Sequence, residues 1–256
     1  MSLTRIVLTV EYDGTNYHGF QLQRNQPTIQ GELEKALLKL TQKRTRVLGA
    51  SRTDSGVHAR GQMVSFRTES TLPLKTFIMG LNHYLPADIA VGAAYRADET
   101  FNVRRNALSR EYDYCILNSD TRSPLRQGFS HRVPGYLDTD SMNVACRCLI
   151  GTHDFASFAS EIDAGLRSTV RAVYKADISR DGDMLTFNIV ANSFLPHQVR
   201  NTTGSLIQVG QGRMTVNEFC SIIEAKKPGL AGPAAPACGL CLIRVNYSYP
   251  FEEEAK

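Results

Sequence analysis

The sequence predicts an α+β protein made of two similar-sized halves with largely antiparallel strands, and two observations support this class. First, apolar residues recur at helical spacing in some segments and alternate with polar residues in others, in mixed order along both halves. Second, 256 residues with 42% hydrophobic and 21% charged content have the composition of a globular protein with a sizeable core. We expect halves at 1–118 and 138–256, separated by a basic linker or flap at 119–137.

The first half is predicted to combine five strands with two helices. A helix at 28–41 is indicated by apolar residues that share one helical face: Ile29, Leu33, Ala36, Leu37 and Leu40. A second, shorter helix is expected at 75–82. Short runs with strand-like patterning, bounded by turn residues, predict strands at 5–11, 46–50, 62–67, 89–95 and 110–117.

The second half is predicted to repeat this mixture. Its strongest local signal is the pair Asp181 and Gly182 between two alternating runs, because this dipeptide favours the tight turn of a β-hairpin. Helices are expected at 141–150, 197–209 and 216–226, with a last strand at 240–245. The intervening segment 119–137 is rich in Ser, Pro, Gly and Arg and has no regular pattern, which fits a linker or mobile flap.

The sequence gives no indication of a membrane or secretory segment. No apolar run approaches the ~20 residues needed to cross a bilayer. The N-terminal residues contain one early basic side chain and an apolar stretch interrupted by Thr9 and Glu11, which is typical of a first strand rather than a signal peptide. We therefore expect a cytoplasmic protein with no membrane partner.

The six cysteines are predicted to be free thiols rather than a disulfide framework, because no secretory signal accompanies them. Cys146 with Cys148, and Cys238 with Cys241, form two closely spaced pairs of the kind that can ligate zinc. The sequence between the pairs is far longer than in compact zinc modules. We therefore expect no metal site.

The distribution of charge is more informative than the net charge of +4, which permits a polyanionic partner without requiring one. Two windows, 121–137 and 188–217, contain no Asp or Glu. Their basic and histidine side chains are Arg122, Arg126, His131 and Arg132 in the first, and His197, Arg200 and Arg213 in the second. Such windows are expected of a surface that binds phosphate, and an ordinary solvated charged face is the alternative.

Motifs of nucleotide-dependent enzymes and of serine hydrolases are missing from the sequence. It contains no G-x-S-x-G, no G-x-x-x-x-G-K-[ST] and no G-x-G-x-x-G after a strand, so use of ATP or a dinucleotide is unsupported. Asp13, Asp54 and Asp154 are candidate carboxylates near turns. Two carboxylates that flank a glycosidic bond would make a hydrolase, but the sequence does not show that any two converge.

Four further features are candidates for a functional role, and each also has an ordinary structural interpretation. The polar run from Arg52 to Gly56 forms either a solvated turn or a loop that holds a reactive group, and with its neighbours 51 and 57 it is called the polar loop here. The stretch EYDGTNYHGFQLQ suits contact with bases or sugars, or else covers the core with aromatic rings. Arg200 is expected in the first turn of a helix, where the dipole favours anions, and Tyr112 is by default a half-buried strand residue.

The stretch GASRTDSGVHARGQMVSF, which begins at Gly49, resembles the signature Gly-x-x-Arg-Thr-Asp-x-Gly-Val-His-(Ala/Gly) of the TruA family of tRNA pseudouridine synthases. Two departures from the family pattern are Phe20, where many members have Trp and which could alter an RNA contact, and Val103, where Ala is usual. Six further motifs stand in the family's order and cover nearly the whole chain: EYDGTNYHGFQ, LNHYLPADIAV, SREYDY, GTHDFASF, NSFLPHQVRN and APACGLCL.

The resemblance implies an isomerase that converts uridine to pseudouridine in tRNA, with Asp54 as nucleophile and without cofactor or metal. By the same resemblance Tyr112 lies against the target base, Arg52 helps to hold the flipped nucleotide, and Arg200 is the cationic partner of Asp54. Gly56 would let the polar loop turn sharply. The resemblance further implies action at positions 38, 39 and 40 of the anticodon stem-loop, a homodimer, and a central RNA-binding cleft flanked by the two halves.

Two other functions are weighed against this one. A catalytically silent RNA-binding module on the same scaffold would be expected to lack Asp54, Tyr112 or Arg200, and all three are present. A hydrolase of a nucleoside bond would need a second acid opposite Asp54, and the polar loop contains none. Direct attack by the carboxylate and removal of a ribose proton to give a glycal are both compatible with the sequence.

Overall fold

The computed structural model describes residues 3–159, 168–248 and 251. Over these residues the chain forms ten strands and five α-helices, and all but one of the strand pairs with a defined register are antiparallel. The predicted mixture of helices with largely antiparallel strands is therefore confirmed. No helix within the described ranges is both long and apolar enough to span a bilayer.

The chain divides into two compact units. Unit 1 comprises Met1–Leu108 and Leu242–Lys256, and unit 2 comprises Ser109–Cys241. These bounds differ from the halves expected from the sequence, because the last strand returns to unit 1 and the segment 119–137 belongs to unit 2. The division into halves at 1–118 and 138–256, with a basic linker or flap between them, stays a prediction.

Unit 1 contains a sheet with the strand order β4-β1-β3-β10, in which the short β2 pairs with β3. Strand β1 runs antiparallel to both neighbours, and its register shifts between Val10 and Tyr12 on the side of β3. This bulge lies at the C-terminal end of β1, directly before residue 13. The strands are β1 (Thr4–Tyr12), β2 (Leu48–Gly49), β3 (His58–Thr68), β4 (Ile89–Ala97) and β10 (Leu240–Tyr247).

Two helices belong to unit 1, α1 (Ile29–Thr41) and α2 (Leu74–Tyr84). Helix α1 begins where the Thr28 hydroxyl accepts a hydrogen bond from the backbone of Gly31, as expected for an N-cap. Its apolar face, which includes Leu33 and Leu37, is fully buried, and Phe77 of α2 packs against Phe66 of the sheet. The 28–41 and 75–82 helix predictions are confirmed with shifts of one or two residues.

Unit 2 contains strands in the order β5-β9-β8-β7, with β6 parallel to β5. The predicted Asp-Gly hairpin is present, because β8 and β9 pair antiparallel up to Asp181 and Met184 on either side of the turn. The elements of unit 2 are β5 (Ala107–Leu117), β6 (His131–Arg132), α3 (Thr139–Leu149), β7 (Gly151–Asp154), β8 (Val170–Asp181), β9 (Met184–Ala191), α4 (Gln198–Gly210) and α5 (Val216–Ala225).

Several predicted strand bounds were wrong. The strand expected at 46–50 shrinks to the two residues of β2, while β3 begins at His58 rather than at residue 62. Strands β6 and β7 were not predicted, since pieces of two and four residues are too short to show a periodic pattern. Their pairing depends on neighbours that are distant in sequence.

The expectation of free thiols was wrong for two cysteines. Cys148 on α3 and Cys220 on α5 form a disulfide, with Cα atoms 5.8 Å apart and 72 residues between them in sequence. The packing of α3 against α5 brings them together, which the spacing of cysteines could not show. Within the described ranges, four cysteines form no disulfide: Cys115, Cys146, Cys238 and Cys241.

We expect reduction of this disulfide to lower the free energy of unfolding by about 2–4 kcal/mol, because the bond closes a long loop in the unfolded chain. Cys148→Ser should cause the same loss and make stability insensitive to dithiothreitol. Urea unfolding with and without the reductant measures both effects. Cys115→Ser, which removes a thiol on β5 that forms no disulfide, is the control. An unfolding midpoint of the parent protein that does not change with the reductant would contradict the prediction.

Candidate active site

The polar loop lies between β2 and β3 of unit 1, and the side chain of Asp54 is half-buried there. A backbone hydrogen bond from Val57 to the carbonyl of Asp54 closes the turn, 3.2 Å in length. Gly56 has φ of 76°, which an L side chain rarely adopts. Arg52, two residues before the carboxylate, is exposed. The loop is therefore a defined turn that leaves Arg52 exposed and Asp54 half-buried.

A second segment, residues 13–28 (the covering loop), lies directly on the polar loop. The backbone N–H of Phe20 donates to the carbonyl of Thr53 at 3.0 Å, and the carbonyl of Tyr17 accepts from the N–H of Gly56 at 3.2 Å. These bonds satisfy backbone groups on both sides of Asp54. The conformation of the polar loop is thus set by a segment more than thirty positions earlier in the chain.

Two glycines permit this close approach. A Cβ atom at Gly14 would overlap the carbonyl oxygen of Val57, and one at Gly19 would lie 2.7 Å from the carbonyl oxygen of Thr53. Gly19 also has φ of 85°, which disfavours any other residue. Only a glycine at each position lets the two backbones lie this close together.

The aromatic residues of this region are interior rather than exposed to a ligand. Tyr12, Tyr17 and Phe20 have relative exposures of 3%, 6% and 2%. The ring of Phe20 lies against Gly49, where a Cβ atom would collide with it. For these three rings, burial supports the second interpretation of the stretch, a loop that covers the core, and the suggestion that Phe20 alters an RNA contact stays a prediction. They cover the core and support the polar loop from below.

A buried polar network connects the polar loop to the sheet. The hydroxyl of Tyr12 lies 2.8 Å from Oγ1 of Thr53, and Nε2 of Gln62 lies 3.4 Å from the same tyrosine oxygen. Gln62 also donates to the carbonyl of Ser51 at 3.0 Å and accepts from its N–H at 3.2 Å. Sequence reasoning missed Tyr12 and Gln62 as supports of the polar loop, because nothing in their local pattern distinguishes them from ordinary strand positions.

The entry to the covering loop is held by Asp13 and His58. Nδ1 of His58 lies 3.1 Å from a carboxylate oxygen of Asp13 and 3.1 Å from the backbone nitrogen of Gly14. Partial burial acts to raise the pKa of Asp13, but hydrogen bonds from Thr15 and the nearby His58 outweigh it and hold this pKa below its usual value. Asp13, one of the candidate carboxylates, thus stabilises the start of the covering loop, in which it lies.

Tyr112 lies in unit 2, on β5, opposite Ile189 of β9. It is 7% exposed, and its ring meets that of Phe194 edge to face, with centroids 5.3 Å apart and planes at 87°. Edge-to-face pairs of this kind fix ring orientation. Phe194 therefore sets the direction of the Tyr112 ring, which the sequence did not reveal.

Arg200 occupies the first turn of α4 in unit 2, as predicted. Its Nε donates to the carbonyl of Ala235 at 2.8 Å, and the N–H of Ala235 donates to the carbonyl of Arg200 at 3.0 Å. Gly204, one turn later, lacks the Cβ atom that would collide with the carbonyl of Pro233. A glycine thus lets the segment around Ala235 lie against the helix and fix the guanidinium.

The four predicted site residues are divided between the units. Asp54 and Arg52 belong to unit 1, and Tyr112 and Arg200 belong to unit 2. That they act on one substrate stays a prediction.

The two acid-free windows differ in how far their residues are exposed to solvent. Ten residues of α4, which fills the centre of 188–217, are buried, so this window is a core helix and not a continuous charged surface. Most of 121–137 is exposed, including Leu125 at 95% and Tyr136 at 82%. The pattern of charge alone could not separate these cases.

The remaining candidate groups have local structural roles. A carboxylate oxygen of Asp154 accepts from the N–H of Ala156 at 3.0 Å, which caps a short turn. No cluster of three or more His, Cys, Asp or Glu side chains suited to a metal ion is found among residues 3–159, 168–248 and 251.

Comparison with known proteins decides the family. The model of the tRNA pseudouridine synthase family matches residues 8–104 and 145–248. A tRNA pseudouridine synthase A of Pelobacter propionicus is 42% identical over 242 residues, 94% of this chain and 99% of the relative. One of Roseiflexus sp. is 43% identical, over 96% of this chain and 91% of the relative. The chain belongs to the tRNA pseudouridine synthase family.

Membership of the tRNA pseudouridine synthase family confirms the predicted resemblance and the predicted enzyme class, an isomerase. Arg52, Asp54 and Arg200 lie inside the matched ranges, and Tyr112 lies in the interval between them. The full-length similarity to the two relatives covers that interval as well, since it extends over at least 94% of the chain.

In this pseudouridine synthase, we expect Gly14→Ala to lower the free energy of unfolding by about 2 kcal/mol or more, because the new methyl group must displace backbone of the polar loop. The matched control is Gly92→Ala on β4, where a Cβ atom meets nothing within 4 Å and no positive φ is involved. Urea unfolding measures both. Equal stabilities of the Gly14→Ala variant and the parent would contradict this packing argument.

Proposed function

We propose that this protein isomerises uridine to pseudouridine in tRNA and that Asp54 is its nucleophile. The observation that carries the proposal is family membership over nearly the whole chain. The position of Asp54 supports it, since the carboxylate lies on a tightly held loop and is half-buried rather than enclosed. A solvated turn would not need backbone support from a second loop.

The reaction requires no exchange of electrons or groups with a second substrate. The bond between the ribose carbon and the uracil nitrogen breaks, and the ring turns. The ribose carbon joins carbon 5 of the uracil, whose hydrogen leaves as a proton, and the freed ring nitrogen takes up a proton, so the product is an isomer of the substrate. We propose that Arg52 holds the flipped nucleotide, that Tyr112 lies against its base, and that Arg200 is the cationic partner of Asp54. Extruding a stacked base costs a few kcal/mol, which one stacking contact of ~1–3 kcal/mol and a phosphate contact could offset.

The finer features of the substrate and assembly follow from the resemblance. We infer that the protein acts in the cytoplasm on the anticodon stem-loop at tRNA positions 38, 39 and 40, works as a homodimer, and binds RNA in a central cleft. No cofactor or metal is required by this proposal. The relatives' names support tRNA as the substrate class.

The exposed segment 121–137 is proposed to contact the tRNA backbone. Arg126 is paired with Asp183 at 2.7 Å, and burial lowers the pKa of His131, which favours its neutral form. Arg122 is exposed and makes no hydrogen bond or ion pair with any residue that the structure describes. This arginine is therefore the segment's best candidate for a phosphate contact.

We expect Asp54→Asn to abolish the release of tritium from tRNA labelled at carbon 5 of uridine, because the amide is neither a nucleophile nor a base. Affinity for tRNA should stay within about tenfold of the parent, or ~1.4 kcal/mol, since the change removes no cation. Asp140→Asn, which alters an exposed carboxylate on α3, is the control and should release tritium normally.

Three results would separate the alternatives. Tritium release by the Asp54→Asn variant would remove Asp54 from the mechanism. Binding of tRNA without release by the parent would indicate an RNA-binding module. Liberation of free uracil by the parent would indicate a hydrolase.

We expect Arg122→Ala to weaken tRNA binding and to reduce the slope of log affinity against log salt by about 1, since one phosphate contact would be lost. Arg147→Ala removes an exposed arginine on α3, outside both acid-free windows, and should leave the slope unchanged. Filter binding between low and moderate salt measures the slope. An unaltered slope for the Arg122→Ala variant would exclude this contact.

A further inference from the structure

The direction of the Asp54 side chain depends on the residues on either side of Arg52. No residue from 51 to 57 belongs to a strand or helix, so regular secondary structure does not fix this part of the backbone. Two residues of the polar loop are instead tied to the sheet by side-chain hydrogen bonds, Ser51 and Thr53. The two predicted site residues directly follow them in the chain.

Thr53, immediately before Asp54, is 7% exposed and held at two points. Its hydroxyl lies 2.8 Å from the hydroxyl of Tyr12, and its carbonyl accepts from the backbone of Phe20 at 3.0 Å. The side chain and the carbonyl of Thr53 are thus both hydrogen-bonded. The peptide plane between Thr53 and Asp54 therefore has little freedom to rotate.

Gln62 on β3 connects both ends of this arrangement. It is fully buried, and its amide nitrogen donates to the carbonyl of Ser51 and approaches the hydroxyl of Tyr12, while its oxygen accepts from the N–H of Ser51. Both amide protons and one acceptor position are therefore used. One side chain of the sheet thereby fixes Ser51 directly and Thr53 through Tyr12.

The route of β1 makes the network possible. In the register of β1 with β3, Val10 is opposite Gln62 and Tyr12 is opposite Ala59, with a bulge between them. Bulges redirect the side chains that follow them and are frequent next to active sites. Here the bulge precedes Tyr12, whose hydroxyl contacts the polar loop at Thr53.

A buried hydrogen-bonded network is destabilising in a core unless its polar groups are all paired. Each polar group must find a partner, whereas apolar side chains of the same shape would pack without this condition. Once all partners are present, the network admits a single geometry. Such a network is suited to holding a reacting carboxylate in one orientation.

We propose that Tyr12, Thr53 and Gln62 are positioning residues that set the orientation of Asp54 for the isomerisation. The inference rests on the proposed function of Asp54. None of the three needs to touch the substrate. Their contribution is to keep the carboxylate in line with the reacting uridine, where a misplacement of about 1 Å can cost roughly 100-fold in rate.

The decisive experiment compares Tyr12→Phe with Tyr17→Phe in single-turnover tritium release at saturating enzyme. Both changes remove one buried tyrosine hydroxyl and keep the ring. The hydroxyl of Tyr17 donates to Asp88 at 2.6 Å, away from the polar loop. We expect the single-turnover rate of Tyr12→Phe to fall about 10-fold or more with unchanged tRNA affinity, and the rate of Tyr17→Phe to stay within about twofold of the parent.

A second pair of variants tests the partner of Tyr12. Thr53→Val removes the hydroxyl with little change of shape and should lower the rate as Tyr12→Phe does. Thr53→Ser keeps the hydroxyl and should restore most of the rate. Because Tyr12→Phe already removes the hydroxyl that Thr53 contacts, adding Thr53→Val to it should cost no further loss of rate. Thermal unfolding of each variant shows whether the rate differences exceed any difference in folded fraction.

Each outcome decides a different point. Release by the parent and equal release by Tyr12→Phe would overturn the positioning role and leave the proposed function intact. Equal losses in Tyr12→Phe and Tyr17→Phe would show that the network only stabilises the fold. Absence of release by the parent, with tRNA bound, would overturn the proposed function and the positioning role with it.

Discussion

The structure around Asp54 depends on the approach of one backbone to another without intervening side chains. Gly14 and Gly19 place the covering loop directly against the carbonyl oxygens of Val57 and Thr53. At this distance the backbone bonds from the covering loop can form, and the rings of Tyr12 and Phe20 can fill the space beneath. A larger residue at either glycine would separate the two loops. The turn that carries Asp54 would then lose its hydrogen bonds to the covering loop.

In unit 2, a glycine likewise permits the close backbone contact that orients Arg200. Gly204 allows the segment around Ala235 to lie against α4, and the carbonyl of Ala235 then accepts from Nε of the guanidinium. The hydroxyl of Tyr114 donates to the carbonyl of Pro236 at 2.8 Å and secures the same segment. In both units a glycine permits a close backbone contact, and the contact orients a charged side chain. Rigid loops of this kind preorganise a site at the cost of tolerance to substitution.

The sequence predicted those elements whose causes are local. The helix α1 followed from apolar spacing and the β8–β9 hairpin from its Asp-Gly turn, because both signals lie within a few residues. The disulfide between Cys148 and Cys220, the two-residue β2 and the burial of Phe20 depend on residues distant in sequence, and no local pattern records them. For the site, the motif around Asp54 was visible, whereas its supports, Tyr12 and Gln62, look like ordinary strand residues.

The difference between a motif and its supports has a physical origin. A residue that reacts must be a particular chemical type at a particular position, so it leaves a signature in the sequence. A supporting residue needs only to reach its partner, and the bulge in β1 that directs Tyr12 toward Thr53 is a property of strand pairing. Since Gln62 joins Ser51 and Tyr12 from a third segment, the network exists only after three parts of the chain have folded together. The conformation of the loop that carries Asp54 is therefore a tertiary property, which depends on the integrity of the sheet beneath it.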